Sequence, residues 1–312
     1  MRAGEAPFRK IRASRRYHTV ETIRTIAWMK EYARQARAES HIVGLVPTMG
    51  ALHEGHLSLV QRAKKDCSPV IASLFVNPKQ FGPSEDFAKY PRAFESDKEK
   101  LDQAGVDALF APEASEIYPQ DFSTYVNVER ISERLEGRSR PGHFRGVTTV
   151  VMKLLQIVQP NFAYFGRKDA QQARIITQMA RDLNLDSEIV VCPIVREADG
   201  LALSSRNVYL NPEERKAATV LYRGLNAARN ELAAGVRDAM QLQAALHGTL
   251  SAERQARVDY AEIVDAASFE PVVRVSRPCY ILLAVFIGKT RLIDNLYVET
   301  KSPDSEELAF HF

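Results

Sequence analysis

The chain has 312 residues, 45% hydrophobic and 26% charged, and 42 basic against 39 acidic side chains leave a formal net charge of +3. This is enough apolar material for a full core over two domains, which excludes a disordered or fibrous chain, and the near-neutral balance argues for small anionic ligands and no nucleic acid. The three cysteines, Cys67, Cys192 and Cys279, are odd in number and lack C-x-x-C spacing. That pattern argues for a reducing compartment, hence a cytoplasmic location, and against a disulfide framework.

Residues 1–19 are Arg-rich with one acid, Glu5, which superficially resembles a transit peptide, but no apolar signal core follows. Residues 20–37 carry Ile23, Ile26, Ala27, Met29 and Tyr32 at helical spacing, which predicts a helix. Residues 42–46 have the composition of a buried parallel strand, 47–51 form a breaker with Gly50, and Leu52 opens a helix carrying Leu57, Leu59 and Val60. Residues 70–76 are a second β-rich run, ending in a polar loop over 77–83. Residues 95–104 then read as helix, 106–110 as strand and 122–128 as an extended piece.

Residues 129–146 hold Arg130, Arg134, Arg138, Arg140, His143 and Arg145; they suit either a loop folding over polyphosphate or a solvated basic surface. An apolar helix follows over 147–159, a strand over 162–165, and a helix opening at 166–172 and running to Leu183. At that helix start Asp169 and Gln172 fit a capping box, a structural competitor to any ligand role for Gln172. A strand over 188–195 leads into a loop presenting Ser204, Ser205 and Arg206. Strands alternating with helices mean a parallel sheet with ligands beyond the carboxyl ends of its strands.

From Asn211, a good cap followed by Pro212 and Glu214, the order changes to helices over 212–253 and strands over 258–264, 280–287 and 291–298. Helices followed by strands indicate a separate α+β domain. The most apolar segment, 279–287, is far short of the roughly 20 residues a membrane helix needs. Residues 299–312 are polar with an aromatic end and are expected to be mobile. The expected architecture is therefore α/β, a Rossmann-like doubly wound parallel sheet in domain 1–205 with a smaller C-terminal α+β domain, 206–312, closing the active site.

The stretch from residue 42 to 60 is the most informative. A strand, a tight turn and a helix N-terminus suit an anion, since the first turn leaves backbone N–H groups unpaired. His53 and His56 lie on one face of that turn and can both donate to the same anion, and Gly55 between them would let a flat ligand pack on the backbone. A zinc half-site is the competing reading, but His-Glu-Gly-His is one residue short of the metalloprotease spacing and no Cys or His cluster supplies further ligands. Two ordinary surface histidines are the blander alternative.

Four motifs occur together and in order: Pro-Thr-Met-Gly-Ala-Leu-His-Glu-Gly-His at 47–56, Phe-Val-Asn-Pro-x-Gln-Phe at 75–81, Gly-x-Lys-Asp-x-Gln-Gln at 166–172 and Leu-Ser-Ser-Arg-Asn at 203–207. With them the chain resembles the pantothenate synthetase family, within the nucleotidyltransferase superfamily that shares H-x-G-H with class I aminoacyl-tRNA synthetases. The resemblance implies ATP-dependent condensation of pantoate with β-alanine through a pantoyl-adenylate, releasing AMP and pyrophosphate, by a cytoplasmic homodimer. It implies that Met49, Gly50, Ala51, Leu52, His53, Glu54, Gly55 and His56 contact ATP, with His56 the catalytic histidine. Gly166, Arg167, Lys168, Asp169, Val195, Leu203, Ser204, Ser205 and Arg206 would complete the ATP site, and Gln80 and Gln172 would hold pantoate, Gln80 also lying near β-alanine. Arg167 stands where the family usually has Glu, and Ala170 where it has an aromatic.

That chemistry needs no protein nucleophile. Positioning and preorganised positive donors carry it, with Mg²⁺ held mainly through ATP phosphates and no metal site of the protein's own. The sequence identifies no base for the β-alanine amine. Two rivals remain, a nucleotidylyltransferase acting on another acceptor and a nucleotide- or RNA-binding regulator without catalysis; the paired glutamines argue against the first and the intact histidines and lysine against the second.

Overall fold

The apolar run Val70–Leu74 (β3) becomes a central strand because every neighbour it has buries it: it pairs in parallel with Gly44–Thr48 (β2) on one side and Ala108–Phe110 (β4) on the other. The computed structural model describes residues 20–82, 85, 87–300 and 307–312, so the transit-like stretch at 1–19 lies outside it. Glu21–Ile23 (β1), Phe162–Gly166 (β5) and Glu188–Cys192 (β6) complete a six-stranded parallel sheet of order β1-β4-β3-β2-β5-β6. The strand order reverses between β2 and β5, the place where such sheets bind ligands. β2 pairs with β3 along its whole length but with β5 only through Gly44 and Leu45, so the two strands part toward their carboxyl ends.

Helices Ile26–Ala38 (α1), Glu54–Asp66 (α2), Phe94–Gln103 (α3), Ala114–Ile117 (α4), Glu136–Ser139 (α5), His143–Val158 (α6) and Ala170–Asp182 (α7) belong to this half. The expected helix from residue 20 is corrected: residues 21–23 pair with β4, and Thr25 then caps α1 by accepting the Trp28 amide at 3.3 Å. Three strand residues are too few for periodicity to register. The helix expected at 147 begins at His143, after the left-handed Gly142. The extended piece at 122–128 joins no sheet; Thr148 and Thr149 of α6 hold Val126 through its carbonyl and amide instead.

The C-terminal part holds Pro212–Ala217 (α8), Val220–Ala233 (α9) and Ala239–Ser251 (α10), then an antiparallel sheet of Ala256–Asp265 (β7), Cys279–Ile287 (β8), Thr290–Thr300 (β9) and Leu308–His311 (β10), in the order β10-β9-β8-β7. Asn211 and Glu214 form the expected capping box at α8. Both faces of β8 are buried. Ile281, Leu283 and Val285 pack with Leu225, Leu242 and Leu246 of α9 and α10, while Leu282 and Ala284 join Ile131, Phe144 and Ile175 of the N-terminal half. That second cluster seats one domain on the other through the hydrophobic effect, at roughly 25 cal/mol per Å² of apolar surface.

The tail expected to be mobile is corrected as well. Residues 308–311 pair with β9, and the alternating Leu308, Phe310 and Phe312 pack on the C-terminal core, a pattern too short to stand out among polar neighbours. Residues 301–306 lie outside the described part. All three cysteines are buried and unbridged.

Candidate active site

Beyond β2 the chain turns through Gly50 and Ala51, both at positive φ (86° and 51°), and enters α2 at His53. The amides expected to be free for an anion are mostly engaged. Asp97 of α3, 1% exposed, accepts the Ala51 and Leu52 amides at 2.8 Å each, and Gly50 N–H reaches Thr48 Oγ1 at 3.3 Å. His53 and His56 cap the helix reciprocally: Gly55 N–H donates to His53 Nδ1 at 3.1 Å, and His53 N–H to His56 Nδ1 at 3.4 Å. Both rings therefore carry their proton on Nε2, and that N–H is what each can offer an anion. The rings lie 4.1 Å apart.

Burial, then the nearby Lys168 charge, pushes His53 down to about 4; burial, then His53 and Lys168, pushes His56 down to about 3. Both imidazoles are neutral at physiological pH, which corrects the expectation of positive donors there: they are uncharged N–H donors. Gly55 has a different task from the one expected. A Cβ on it would stand 2.9 Å from the His53 ring, so the glycine makes room for that ring.

After β5 a single 3-10 turn, Arg167–Asp169, precedes α7. The capping box expected of Asp169 and Gln172 does not form, because Asp169 sits at φ −96°, ψ 58° inside the turn and makes no side-chain cap bond. Gln172 instead lines a cavity of about 700 Å³ with Arg140, His143, Lys168, Ser204 and Arg206. Arg167 turns away to lie over the Tyr297 ring at 5.4 Å, and Ala170 is buried at the interface between the two halves.

The remaining predicted residues are not all brought together: Ala51, Gly55, His56, Gln80, Gly166 and Ser205 line neither this cavity nor the two further depressions. Leu52, His53, Glu54 and Leu203 line a second depression of about 530 Å³, and Met49 and Gly50 a third of about 300 Å³. Leu203 of the second depression is followed in the chain by Ser204 of the first cavity, so the two meet at the 203–207 loop. Val195 lines none of the three; its carbonyl accepts the Leu203 amide at 3.0 Å and so sets the start of the 203–207 loop. Ser204 Oγ accepts the Arg206 amide at 3.2 Å.

Gln80 is buried in the loop after β3. Its Oε1 accepts from Asn77 Nδ2 at 3.0 Å, and its Nε2 points at Met49 Sδ, 2.9 Å away. Asn77 also donates to Gly146 O at 3.0 Å and accepts from the Tyr118 hydroxyl at 2.8 Å. The Arg-rich stretch divides between the two readings: Arg130, Arg138 and Arg145 are exposed, while Arg140 and His143 line the cavity. Arg134 pairs with Glu270, Arg145 lies over Tyr125, and Arg140 makes a two-pronged pair with Glu85 at 2.8 and 2.6 Å.

Sequence reasoning missed Asp97, Gln171 and Glu136. Gln171 accepts the Glu136 amide and donates to Ile131 O and Arg134 O, while Glu136 takes Arg291 and the Tyr260 hydroxyl from the C-terminal sheet. Asp97 did leave a signal, a carboxylate one turn before Leu101 on the buried face of α3.

Residues 21–297 match the family model described as pantoate-beta-alanine ligase. A pantothenate synthetase of Thermotoga neapolitana is 53% identical over 273 residues, 88% of this chain and 98% of the relative, and one of Heliobacterium modesticaldum is 55% identical over 281 residues, 90% and 99%. The crystal structure of pantothenate synthetase from Thermus thermophilus superposes with a TM-score of 0.84 at 46% identity, covering 88% of this chain and 98% of that one. The pantoate-beta-alanine ligase from Francisella tularensis, complexed with beta-gamma ATP and beta-alanine, superposes at 0.73 with 36% identity, covering 88% and 97%.

Proposed function

The chain belongs to the pantoate-beta-alanine ligase family, and we propose that it condenses pantoate with β-alanine at the expense of ATP, using the residues gathered at the carboxyl ends of β2 and β5. The observation that carries this reading is the convergence of neutral donors with fixed cations. His53 and Ser204 offer N–H and O–H groups and Lys168 and Arg206 offer charge in the cavities at the crevice where the strand order reverses, with His56 packed behind His53 at a ring separation of 4.1 Å.

A carboxylate oxygen of pantoate attacks the α-phosphorus of ATP, the new O–P bond forming as the bond to the bridging oxygen of pyrophosphate breaks. Negative charge builds on phosphate oxygens, and donors aimed there before reaction lower the barrier without reorganising. Gln80 and Gln172 hold pantoate through its hydroxyls and carboxylate, the one in the Asn77 loop and the other at the start of α7. The β-alanine amine then attacks the acyl carbon: the C–N bond forms as the acyl C–O bond to AMP breaks, AMP carries away the electron pair, and the nitrogen's surplus proton leaves to solvent.

Lys168 and Arg206 are cationic and Ser204 neutral, a set that fits phosphate oxygens, so Mg²⁺ would come with ATP and would supply further positive charge toward those phosphates. The C-terminal domain, beginning near residue 206, closes the site. The same reading includes a cytoplasmic homodimer, whose light-scattering mass would be twice 35.0 kDa; a mass of one chain would remove the dimer. No helix among the described residues is long and apolar enough to cross a membrane. ATP–pyrophosphate exchange with and without pantoate tests the reaction: exchange should need pantoate, and β-alanine should divert it to AMP and product. Exchange indifferent to pantoate would overturn the reading.

A further inference from the structure

In strand β9, Asp294 and Asn295 stand between Leu292–Ile293 and Leu296–Tyr297–Val298, 2% and 1% exposed. Buried polar side chains are costly unless hydrogen-bonded, so their partners say what they are for. Asn295 Nδ2 donates to the backbone oxygens of Arg167 and Lys168, 2.9 Å to each. Two carbonyl acceptors on one nitrogen fix the amide's orientation, because Oδ1 in that place would face two like oxygens. Asp294 grips Arg196 with both oxygens, at 2.6 and 2.8 Å. Arg196 is held further over the rings of Tyr222 and Phe312, at 4.9 and 5.3 Å.

Both partners lead to the ATP-directed donors. Arg167 and Lys168 are the turn between β5 and α7. Arg196 opens a tight hairpin in which Glu197 N–H meets Leu201 O at 2.8 Å and Leu203 N–H meets Val195 O at 3.0 Å, immediately before Ser204, Ser205 and Arg206. Two adjacent residues of the C-terminal domain thus tie down two separate loops of the N-terminal sheet.

We infer that Asn295 is a positioning residue for the ATP half-reaction: its amide straps the Arg167 and Lys168 carbonyls and so fixes where the Lys168 ammonium stands, as Asp294 fixes the Ser204–Arg206 turn through Arg196. The inference rests on the proposed role of Lys168 toward ATP. A donor displaced by about 1 Å loses most of its value to a transition state, so the strap acts on catalysis without touching substrate.

The test is pyrophosphate exchange by Asn295→Ala and Asn295→Asp beside Lys168→Ala and the Lys168→Ala/Asn295→Ala double variant, with thermal melts of each. Asn295→Ala should raise the ATP KM or lower the exchange rate about tenfold, with the pantoate KM within about twofold. Asn295→Asp, which sets a carboxylate against two carbonyls, should be worse. In the Lys168→Ala background the cost of Asn295→Ala should nearly vanish, since two residues acting through one group are not additive. Should Asn295→Asp not fold, the Ala variant and the cycle decide. Normal ATP kinetics in Asn295→Ala beside an impaired Lys168→Ala, or full additivity in the double variant, would overturn the strap; normal ATP kinetics in Lys168→Ala would overturn the ATP-site reading itself.

Discussion

His143 Nδ1–H donates to the backbone oxygen of Gln80 at 2.8 Å, joining the first residue of α6 to the loop that carries a substrate-directed glutamine. A carbonyl can only accept, so the proton is on Nδ1, and Nε2 takes a hydrogen bond from the Arg140 guanidinium at 3.0 Å. A second proton on this ring would face that guanidinium with no acceptor. Burial first and Arg140 second hold His143 down to about 4.

Acid should therefore unfold this protein earlier than its carboxylates alone would. His53, His56 and His143 are all held well below the ordinary value of 6.5, at about 4, 3 and 4. Between those values the unfolded chain binds protons that the folded one does not, so stability is lost as pH falls from 6.5 toward 4. Each group contributes at most about 1.4 kcal/mol per pH unit in that window. Melting temperatures of the wild type and His143→Gln from pH 7 to 4.5 check this. The variant starts lower but falls less steeply; parallel slopes would mean that His143 takes up its proton in the fold without penalty.

Gly146 marks the closest approach between α6 and the Gln80 loop. A Cβ there would stand 2.2 Å from Lys79 O and 2.7 Å from Gln80 Cα, inside any van der Waals contact. Gly146→Ala must push the two elements apart, and it should destabilise the fold by roughly 1–3 kcal/mol, the usual cost of overpacking. Because the displaced backbone carries Gln80, the pantoate KM should rise while ATP binding is kept. A folded variant with an unchanged pantoate KM would show that the loop does not position the acid.

What the sequence made legible was what local pattern encodes. The alternation of strands and helices over 42–192 gave the parallel sheet, and four motifs at strand ends gave the loops that converge. Residues 21–23 and 308–311 escaped because strands so short acquire their meaning from partners far along the chain. The hydrogen-bonding state of the 50–55 turn escaped for the same reason: its amides are taken by Asp97, more than forty residues away. Asp294 and Asn295 left a visible trace, two polar residues between Leu292–Ile293 and Leu296–Tyr297–Val298, but nothing local says that one faces Arg196 and the other two carbonyls.

For Gln80 the structure sharpens the expected outcome of truncation. Gln80→Ala removes Oε1 from one of the two N–H groups of Asn77 Nδ2 while the other keeps Gly146 O, so the variant should also lose about 1–3 kcal/mol of stability for one unpaired buried donor. The kinetic loss should fall on substrate: a raised pantoate KM with the ATP KM largely unchanged. Steady-state kinetics with each substrate varied in turn decide it, and a pantoate KM equal to the wild type's would take Gln80 out of pantoate binding.

His56 offers the sharpest test of the histidine pair. Its Nδ1 accepts only the long His53 N–H contact at 3.4 Å, so His56→Ala should cost little stability, while removing an Nε2–H donor from developing phosphate charge should lower turnover by roughly 10²-fold. Because its ring is neutral, with a pKa of about 3, the wild-type kcat/KM for ATP should show no ionisation from this histidine above about pH 5. An acidic limb near pH 6.5 that disappears in His56→Gln would mean that the imidazolium is the working form. Near-normal exchange in folded His56→Ala would mean that the ring only caps α2.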